Sequence, residues 1–134
     1  MTVKENSLLV VIAAAGIGKR YAGDKPKQYA QINGKSVIEK AIEPFLNSKY
    51  VSKIIIAISK NDMEIKNQSF FHFEKIQYVD GGTTRQESIN NGLNAAEYKY
   101  EYVITHDAAR PNIKEEDIYE PVSYTHLTLP TTDW

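Results

Sequence analysis

The chain has 134 residues, with 16 lysines and arginines against 17 aspartates and glutamates, and it contains no cysteine. This length predicts a single domain with one real core, and the absence of cysteine excludes disulfides, thiolate chemistry and cysteine-based zinc sites. The nearly balanced charge gives no sign of a nucleic-acid polymer as partner.

No stretch of the sequence approaches the ~20 apolar residues that cross a bilayer, so we expect a soluble protein with no membrane partner. Residues 8–15 resemble the apolar core of a signal peptide, but the run is short, and Lys4 before it is offset by Glu5. We therefore expect a cytoplasmic protein.

The first predicted element is a buried parallel strand over residues 8–15, which have the length and β-branched content of such a strand. A turn containing Gly16 and Gly18 follows, and cations come directly after it: Lys19, Arg20, Lys25 and Lys27. Small residues at a strand end let a ligand approach main-chain N–H groups, and the cations can neutralise phosphates. The alternative is an ordinary tight turn followed by a solvated basic loop.

The next predicted elements are a turn at Asn33-Gly34 and a helix that begins at Ser36, with Glu39 three residues later as a capping box. The apolar residues of this helix recur at helical spacing and are predicted to face the core: Val37, Ile38, Ala41, Ile42, Phe45 and Leu46. A second buried strand is predicted over residues 53–59. An irregular segment follows over 61–74, and its phenylalanines are predicted to pack in the core: Phe70, Phe71 and Phe73.

A third strand over residues 76–79 leads into a second glycine turn, 80–85 (DGGTTR). Thr84 and Glu87 predict a second capping box, which starts a helix. The helix turns apolar side chains inward, and Gly92 allows a neighbouring element to approach closely.

A fourth strand over residues 102–105 and a last helix over 114–119 complete the pattern. The alternation of strand and helix predicts an α/β fold, a mostly parallel sheet with helices on both faces. In such sheets ligands bind beyond the carboxyl ends of the strands. Three loops are therefore expected to converge at one edge of the sheet: 16–27, 81–88 and 107–110.

The end of the chain differs in composition from the rest. Residues 122–134 (VSYTHLTLPTTDW) carry a single charged residue, Asp133, and show no helical or convincing strand period. We therefore divide the chain into residues 1–121, the N-terminal part of a domain, and residues 122–134, a tail predicted to be non-native. A natural β-arm or terminal tail is the alternative.

Two common nucleotide motifs do not fit the first loop. The dinucleotide fingerprint requires a glycine where the sequence has Tyr21, and the phosphate loop requires Ser or Thr where it has Arg20. A glycine turn, two separated cations (Arg20 and Lys27) and an acid at a strand end (Asp107) suit phosphoryl or nucleotidyl transfer. Fixed cations stabilise charge that develops on phosphate, and a strand-end carboxylate can hold Mg²⁺.

Three motifs resemble those of the 2-C-methyl-D-erythritol 4-phosphate cytidylyltransferase family, in order and at suitable spacing. They are Ala13-Ala14-Ala15-Gly16-x-Gly18-x-Arg20 with Pro26-Lys27-Gln28-Tyr29, then Asp80-Gly81-Gly82-x-x-Arg85-x-x-Ser88, then His106-Asp107-Ala108-Ala109-Arg110-Pro111. The resemblance covers residues 8–121 and implies a Rossmann-like nucleotidyltransferase fold that is truncated at its C-terminus.

The resemblance also implies an activity. CTP and 2-C-methyl-D-erythritol 4-phosphate would give 4-diphosphocytidyl-2-C-methyl-D-erythritol and pyrophosphate with Mg²⁺, in the non-mevalonate route to isoprenoids. Position by position, Arg20 and Lys27 would stabilise the transition state, and Asp107 and Arg110 would contact the methylerythritol hydroxyls, Asp107 lying near the metal. The residues implied to bind CTP are Ala14, Ala15, Gly16, Gly18, Gly82 and Ser88.

Several of these residues also have a plain structural interpretation. Arg20 and Lys27 can be solvated cations, Ser88 can be an exposed helix residue, and Asp107 can cap a turn. Arg85 can simply pair with its sequence neighbours Glu87 or Asp80, and we do not assign it to catalysis.

The sequence departs from the family pattern in two ways. Thr83 stands where many members carry an acid or another polar residue. The family's later segment supplies a dimerisation arm, an arginine that acts across the homodimer and a lysine that holds the substrate phosphate, and no residue of this sequence can be assigned to them. We therefore expect the chain to bind CTP weakly and to turn over slowly or not at all.

Three alternatives remain open. A sister family acts on ribitol 5-phosphate, but Ala15 and Ala109 favour the methylerythritol enzymes. The chain can instead be a folded, non-catalytic CTP-binding fragment, or an incompletely folded one with an exposed sheet edge.

Overall fold

The computed structural model describes residues 4–15, 27–96 and 100–108. Its strands and α-helices, in chain order, are β1 (Leu8–Ala14), β2 (Gln31–Ile32), β3 (Lys35–Ser36), α1 (Val37–Leu46), β4 (Val51–Ile58), β5 (Ile76–Asp80), α2 (Arg85–Asn94) and β6 (Tyr102–Asp107). Short 3₁₀ helices occupy Lys27–Tyr29 and Ile65–Asn67. The helix predicted over residues 114–119 and the predicted boundary after residue 121 lie outside the described residues.

Four strands form a parallel sheet in the order β5-β4-β1-β6, which confirms the predicted α/β class. The chain moves from β1 outward to β4 and β5, and then returns to the other side of β1 as β6. This reversal makes the carboxyl end of β1 a topological switch point, the place where open α/β sheets bind ligands. Ala14 at that end pairs with Ile58, and Ala13 pairs with Asp107 on the other side.

The two helices cover opposite faces of the sheet, as predicted. Alternate residues of β1 point to opposite faces, so each face receives its own apolar set. On the α1 face the buried cluster includes Leu8, Val10, Ile12, Ile38, Ile42 and Phe45. On the α2 face it includes Leu9, Val11, Ile55 and Ile89. An added Cβ at Gly92 would lie 2.6 Å from a methyl carbon of Val11, so the glycine lets α2 approach the sheet.

Both helix starts follow the capping predictions. The Ser36 hydroxyl accepts a hydrogen bond from the Glu39 N–H at 3.2 Å, and the Thr84 hydroxyl accepts one from the Glu87 N–H at 3.0 Å. The second cap differs in one detail, because the Glu87 carboxylate accepts from the Thr83 N–H instead of the Thr84 N–H.

The hairpin formed by β2 and β3 was not predicted from the sequence. Two residues of β4 were also not predicted, because this strand begins at the fully buried Val51 and not at Lys53. The predicted turn at Asn33-Gly34 is confirmed and connects the hairpin, with φ values of 53° and 84° that match a type I′ turn.

The predicted packing of the three phenylalanines is partly wrong. Phe70 is fully buried, and Phe71 stacks on Tyr78 with ring centroids 4.9 Å apart, but Phe73 is 54% exposed.

Within the described ranges, none of the helices has the length and apolar character needed to span a membrane.

Candidate active site at the carboxyl edge of the sheet

The end of β1 is buried and is joined to the segment that carries Lys27. Ala14 and Ala15 are both buried at this strand end. The Gln28 side chain donates a buried hydrogen bond from Nε2 to the Ala14 carbonyl at 2.8 Å. Since Lys27 is the first residue of the same 3₁₀ turn, its main chain is linked to the end of β1 through the side chain of its neighbour Gln28.

The second loop touches the end of β1 through Gly81. The Gly81 N–H donates to the Ile58 carbonyl at 2.6 Å, which continues the ladder beyond β5. A Cβ added at Gly81 would lie 2.3 Å from the Ala15 Cβ and 2.9 Å from the Ser88 Oγ. Glycine is therefore required at this position by the close approach of two loops.

Ser88 fixes the second loop from the first turn of α2. Its hydroxyl accepts a hydrogen bond from the Gly82 N–H at 2.9 Å, and the residue is 2% exposed. The interpretation of Ser88 as an exposed helix residue is therefore wrong. The structure brings Gly82 and Ser88 together beside Ala15, and their predicted contacts with CTP stay predictions.

Asp107 joins the third loop to the second. Arg85 Nε donates to Asp107 Oδ1 at 2.6 Å, with the two side chains 52% and 28% exposed. The expectation that Arg85 pairs with Glu87 or Asp80 is wrong, because α2 starts at the same edge of the sheet at which β6 ends. The cation that pairs with Asp107 therefore comes from the second loop, which is distant from Asp107 in sequence.

The donor set at this edge fits Mg²⁺ only in part. In the part of the chain that the structure describes, no group of three or more His, Asp or Glu side chains is arranged to hold a metal ion. Mg²⁺ in phosphate-transfer sites commonly takes one or two carboxylates and completes its shell with phosphate oxygens and water. Asp107 is a carboxylate of the kind such sites use, and its Oδ1 is bonded to Arg85 in this structure.

Two further side chains near this edge have structural contacts. His106 packs edge-on against Phe45, with ring centroids 6.1 Å apart. The Tyr29 hydroxyl donates to Asp62 Oδ2 at 2.5 Å. Burial, followed by this hydrogen bond to Asp62, raises the pKa of Tyr29 far above its ordinary value, so its hydroxyl stays protonated.

Several predicted site residues lie outside the described residues: Gly16, Gly18, Arg20 and Arg110. For Lys27 the description covers the main chain. The roles predicted for these residues stay predictions.

Three residues build this site through contacts that the sequence did not indicate. Gln28 lies in the motif Pro26-Lys27-Gln28-Tyr29, but the sequence alone does not indicate that the side-chain amide of this glutamine is buried. The need for glycine at position 81 depends on Ala15, which is distant in sequence. Arg85 follows a helix cap at the predicted ligand edge, and that placement is the signal that would have connected it with Asp107.

A parallel sheet of this order, with glycine-containing and charged loops joined at its carboxyl edge, defines a Rossmann-like nucleotidyltransferase fold. The family model described as 2-C-methyl-D-erythritol 4-phosphate cytidylyltransferase matches residues 8–130. The chain belongs to this family, as the resemblance of its motifs led us to expect.

Individual relatives agree with this assignment. A protein of Haemophilus influenzae named 2-C-methyl-D-erythritol 4-phosphate cytidylyltransferase is 45% identical over 132 residues, covering 95% of this chain and 58% of the relative. The Francisella tularensis protein of that name, in its crystal structure, is 33% identical with a TM-score of 0.68, covering 84% of this chain and 49% of the other. The crystal structure of 4-diphosphocytidyl-2C-methyl-D-erythritol synthase from Anaerococcus prevotii is 31% identical with a TM-score of 0.72, covering 89% and 50%.

The chain spans little more than half the length of the curated relatives it matches. The match does not favour the ribitol 5-phosphate alternative, because the family model and these relatives carry the methylerythritol name. The family match extends to residue 130, into the predicted tail, and the division at residues 121 and 122 stays a prediction.

Proposed function

We propose that this chain binds CTP for cytidylyl transfer to 2-C-methyl-D-erythritol 4-phosphate, with release of pyrophosphate. One observation carries the proposal: in a member of this family, three motif loops are joined at one sheet edge. The joints are the hydrogen bond of Gln28 to Ala14, the contact of Gly81 with Ala15, and the ion pair of Arg85 with Asp107.

In this proposal the first two loops hold the nucleotide. The CTP-binding residues are Ala14, Ala15, Gly16, Gly18, Gly82 and Ser88. The hydrogen bond between the Ser88 hydroxyl and the Gly82 N–H fixes the second loop before CTP arrives. A loop that is already ordered loses less conformational entropy on binding, which favours affinity.

The chemical step is an in-line displacement at the α-phosphorus of CTP. A phosphate oxygen of the sugar-alcohol phosphate forms the new P–O bond, and the bond to the departing pyrophosphate breaks. Arg20 and Lys27 stabilise the negative charge that builds on the phosphate oxygens, and this stabilisation is greater in the transition state than in the ground state.

Asp107 and Arg110 are proposed to contact the hydroxyls of the sugar-alcohol phosphate, and Asp107 would also hold Mg²⁺. When bound, Mg²⁺ neutralises charge on the triphosphate. We also infer a cytoplasmic protein that acts on no nucleic-acid polymer. Members of the family form homodimers, through an arm to which no residue of this chain is assigned.

The test measures nucleotide binding and turnover on the 134-residue chain. Calorimetric titration with CTP and Mg²⁺ should give tighter binding than titration with UTP or GTP, and Ser88→Ala should weaken CTP binding about threefold to tenfold, the equivalent of one hydrogen bond. Equal affinity for all three nucleotides, in a chain shown to be folded by circular dichroism, would contradict the proposal.

The rate of turnover distinguishes the two candidate sugar-phosphate substrates. Pyrophosphate release from CTP should be faster with 2-C-methyl-D-erythritol 4-phosphate than with ribitol 5-phosphate, even if both rates are low. If Arg20→Ala weakens CTP binding and no release is detected with either sugar phosphate, the non-catalytic alternative is supported instead.

A further inference from the structure

The turn that carries Lys27 is fastened to the fold at two points by buried side chains. Gln28, which is 6% exposed, donates from Nε2 to the Ala14 carbonyl at 2.8 Å. Tyr29, which is 3% exposed, donates its hydroxyl to Asp62 Oδ2 at 2.5 Å. The two anchors lie on different segments, the end of β1 and the loop after β4.

The second anchor is itself held in place. Asp62 Oδ1 accepts hydrogen bonds from the N–H groups of Glu64 and Ile65 at 2.9 and 3.1 Å. The raised pKa of Tyr29 keeps its hydroxyl protonated, so the donor of this hydrogen bond persists well above neutral pH. The turn over Lys27–Tyr29 is therefore held between two fixed acceptors.

We propose that Gln28 is a positioning residue, whose buried amide fastens the turn to the end of β1 and so sets where Lys27 stands relative to a nucleotide held at that strand end. This inference rests on the proposed function, because it assumes that Lys27 acts on the phosphates of CTP. The peptide bond holds adjacent Cα atoms ~3.8 Å apart. When the main chain of Gln28 shifts, the main chain of Lys27 therefore moves by about the same distance as Gln28.

The choice of a buried amide has a physical reason. The Ala14 carbonyl lies at a strand end where small residues leave room for a ligand, and a glutamine reaches it without bringing a charge into the core. A displacement of ~1 Å in a reacting or stabilising group can lower a reaction rate about 100-fold, so a fixed turn matters to the action proposed for Lys27.

The experiment is a double-mutant cycle on the 134-residue chain, with the affinities for CTP and for cytidine as readouts. The variants are Lys27→Ala, Gln28→Leu and the double variant. Cytidine lacks phosphates, so it reports the base and ribose contacts alone. Ser36→Ala is the matched control, because it also removes a buried polar group, 1% exposed, but at the start of α1.

We expect Lys27→Ala to lower CTP affinity about tenfold, the size of one charge-assisted hydrogen bond, and to leave cytidine affinity unchanged. Gln28→Leu should lower CTP affinity by about threefold to tenfold, again without changing cytidine affinity. In the Lys27→Ala background Gln28→Leu should cause no further loss. Ser36→Ala should lower the thermal midpoint but keep the ratio of the two affinities.

Three results would overturn the positioning role of Gln28 while leaving the proposed function standing. They are equal losses of CTP and cytidine affinity in Gln28→Leu, no loss of CTP affinity, and an additional loss in the double variant. If Lys27→Ala itself leaves CTP affinity unchanged, the role of Lys27 in the proposed function is wrong, and the role of Gln28 fails with it.

A second variant keeps the test decisive if Gln28→Leu does not fold. Tyr29→Phe removes the hydrogen bond to Asp62 and keeps the ring, so it loosens the same turn from its other side. It should weaken CTP binding without changing cytidine binding, and equal weakening of both would contradict the proposal.

Discussion

At the scale of single residues, the site depends on contacts between side chains and loops that are far apart in sequence. Gly81 is the clearest case, because an added Cβ would meet the Ala15 Cβ at 2.3 Å and two elements would have to move. At Gly82 an added Cβ would lie 2.5 Å from the Glu87 Cβ, which is fixed to the backbone of α2, so this glycine is closely packed as well.

We therefore predict that Gly81→Ala destabilises the fold by about 1–3 kcal/mol, as overpacking does, and that it also weakens CTP binding. Urea denaturation measures the first effect and titration the second. Gly82→Ala should also lower stability, because its added Cβ would meet the Glu87 Cβ at 2.5 Å. An unchanged free energy of unfolding in Gly81→Ala would refute this account of the loop contact.

The ion pair between Arg85 and Asp107 is exposed on the Arg85 side, so it should contribute little to stability. Arg85→Gln is predicted to change the free energy of unfolding by less than about 1 kcal/mol, the usual size for exposed pairs. Urea denaturation at low and high salt checks this. A loss of several kcal/mol would contradict this prediction, because it is far more than an exposed pair contributes.

Single residues also show which features of the site cannot be predicted from the sequence. The motifs indicate that Ala14, Gly82, Ser88 and Asp107 share one edge of the sheet, because strand ends can be read from apolar runs. They do not indicate that Ser88 bonds to Gly82 or Arg85 to Asp107, because those partners depend on how α2 sits on the sheet.

At the scale of elements, local signals predicted the helices and main strands well. Ser36 and Thr84 carry helix starts that are visible in the sequence, and long apolar runs give β1 and β4. The hairpin of β2 and β3 was missed because two-residue strands are too short to show a period, although the turn between them was recognised.

The two helix caps should differ in their importance. Ser36 is buried and also donates to Gln68 Oε1 at 2.7 Å, whereas Thr84 is exposed and caps its helix alone. We predict that Ser36→Ala costs up to about 2 kcal/mol and Thr84→Ala about 1 kcal/mol, measured by urea denaturation. The reverse order would show that the bond to Gln68 adds nothing.

At the scale of the whole molecule, the buried Tyr29 and the half-buried Tyr78 connect stability to pH. Burial, and for Tyr29 also the bond to Asp62, raises the pKa of Tyr29 and Tyr78 above that of tyrosine in an unfolded chain, about 10. Above that pH the unfolded chain releases protons that the folded chain retains, so stability falls as the pH rises. Lys75, whose pKa burial lowers, opposes this trend.

We therefore predict that the free energy of unfolding decreases above about pH 10, and that Tyr78→Phe makes the decrease less steep. Thermal melts across the alkaline range check both points. An unchanged slope in Tyr78→Phe would mean that its phenol ionises equally well in the folded chain.

The whole sheet organises the site, because its parallel strands and the reversal at β1 bring three loops to one edge. Nuclear magnetic resonance titration of the labelled chain with CTP tests this claim most directly. We predict shifts of the amides of Ala14, Ala15, Gly82, Ser88 and Asp107, and none at the opposite edge, at Ser7, Val51 and Tyr102. Shifts confined to that opposite edge, or shifts in only one of the three loops, would contradict it.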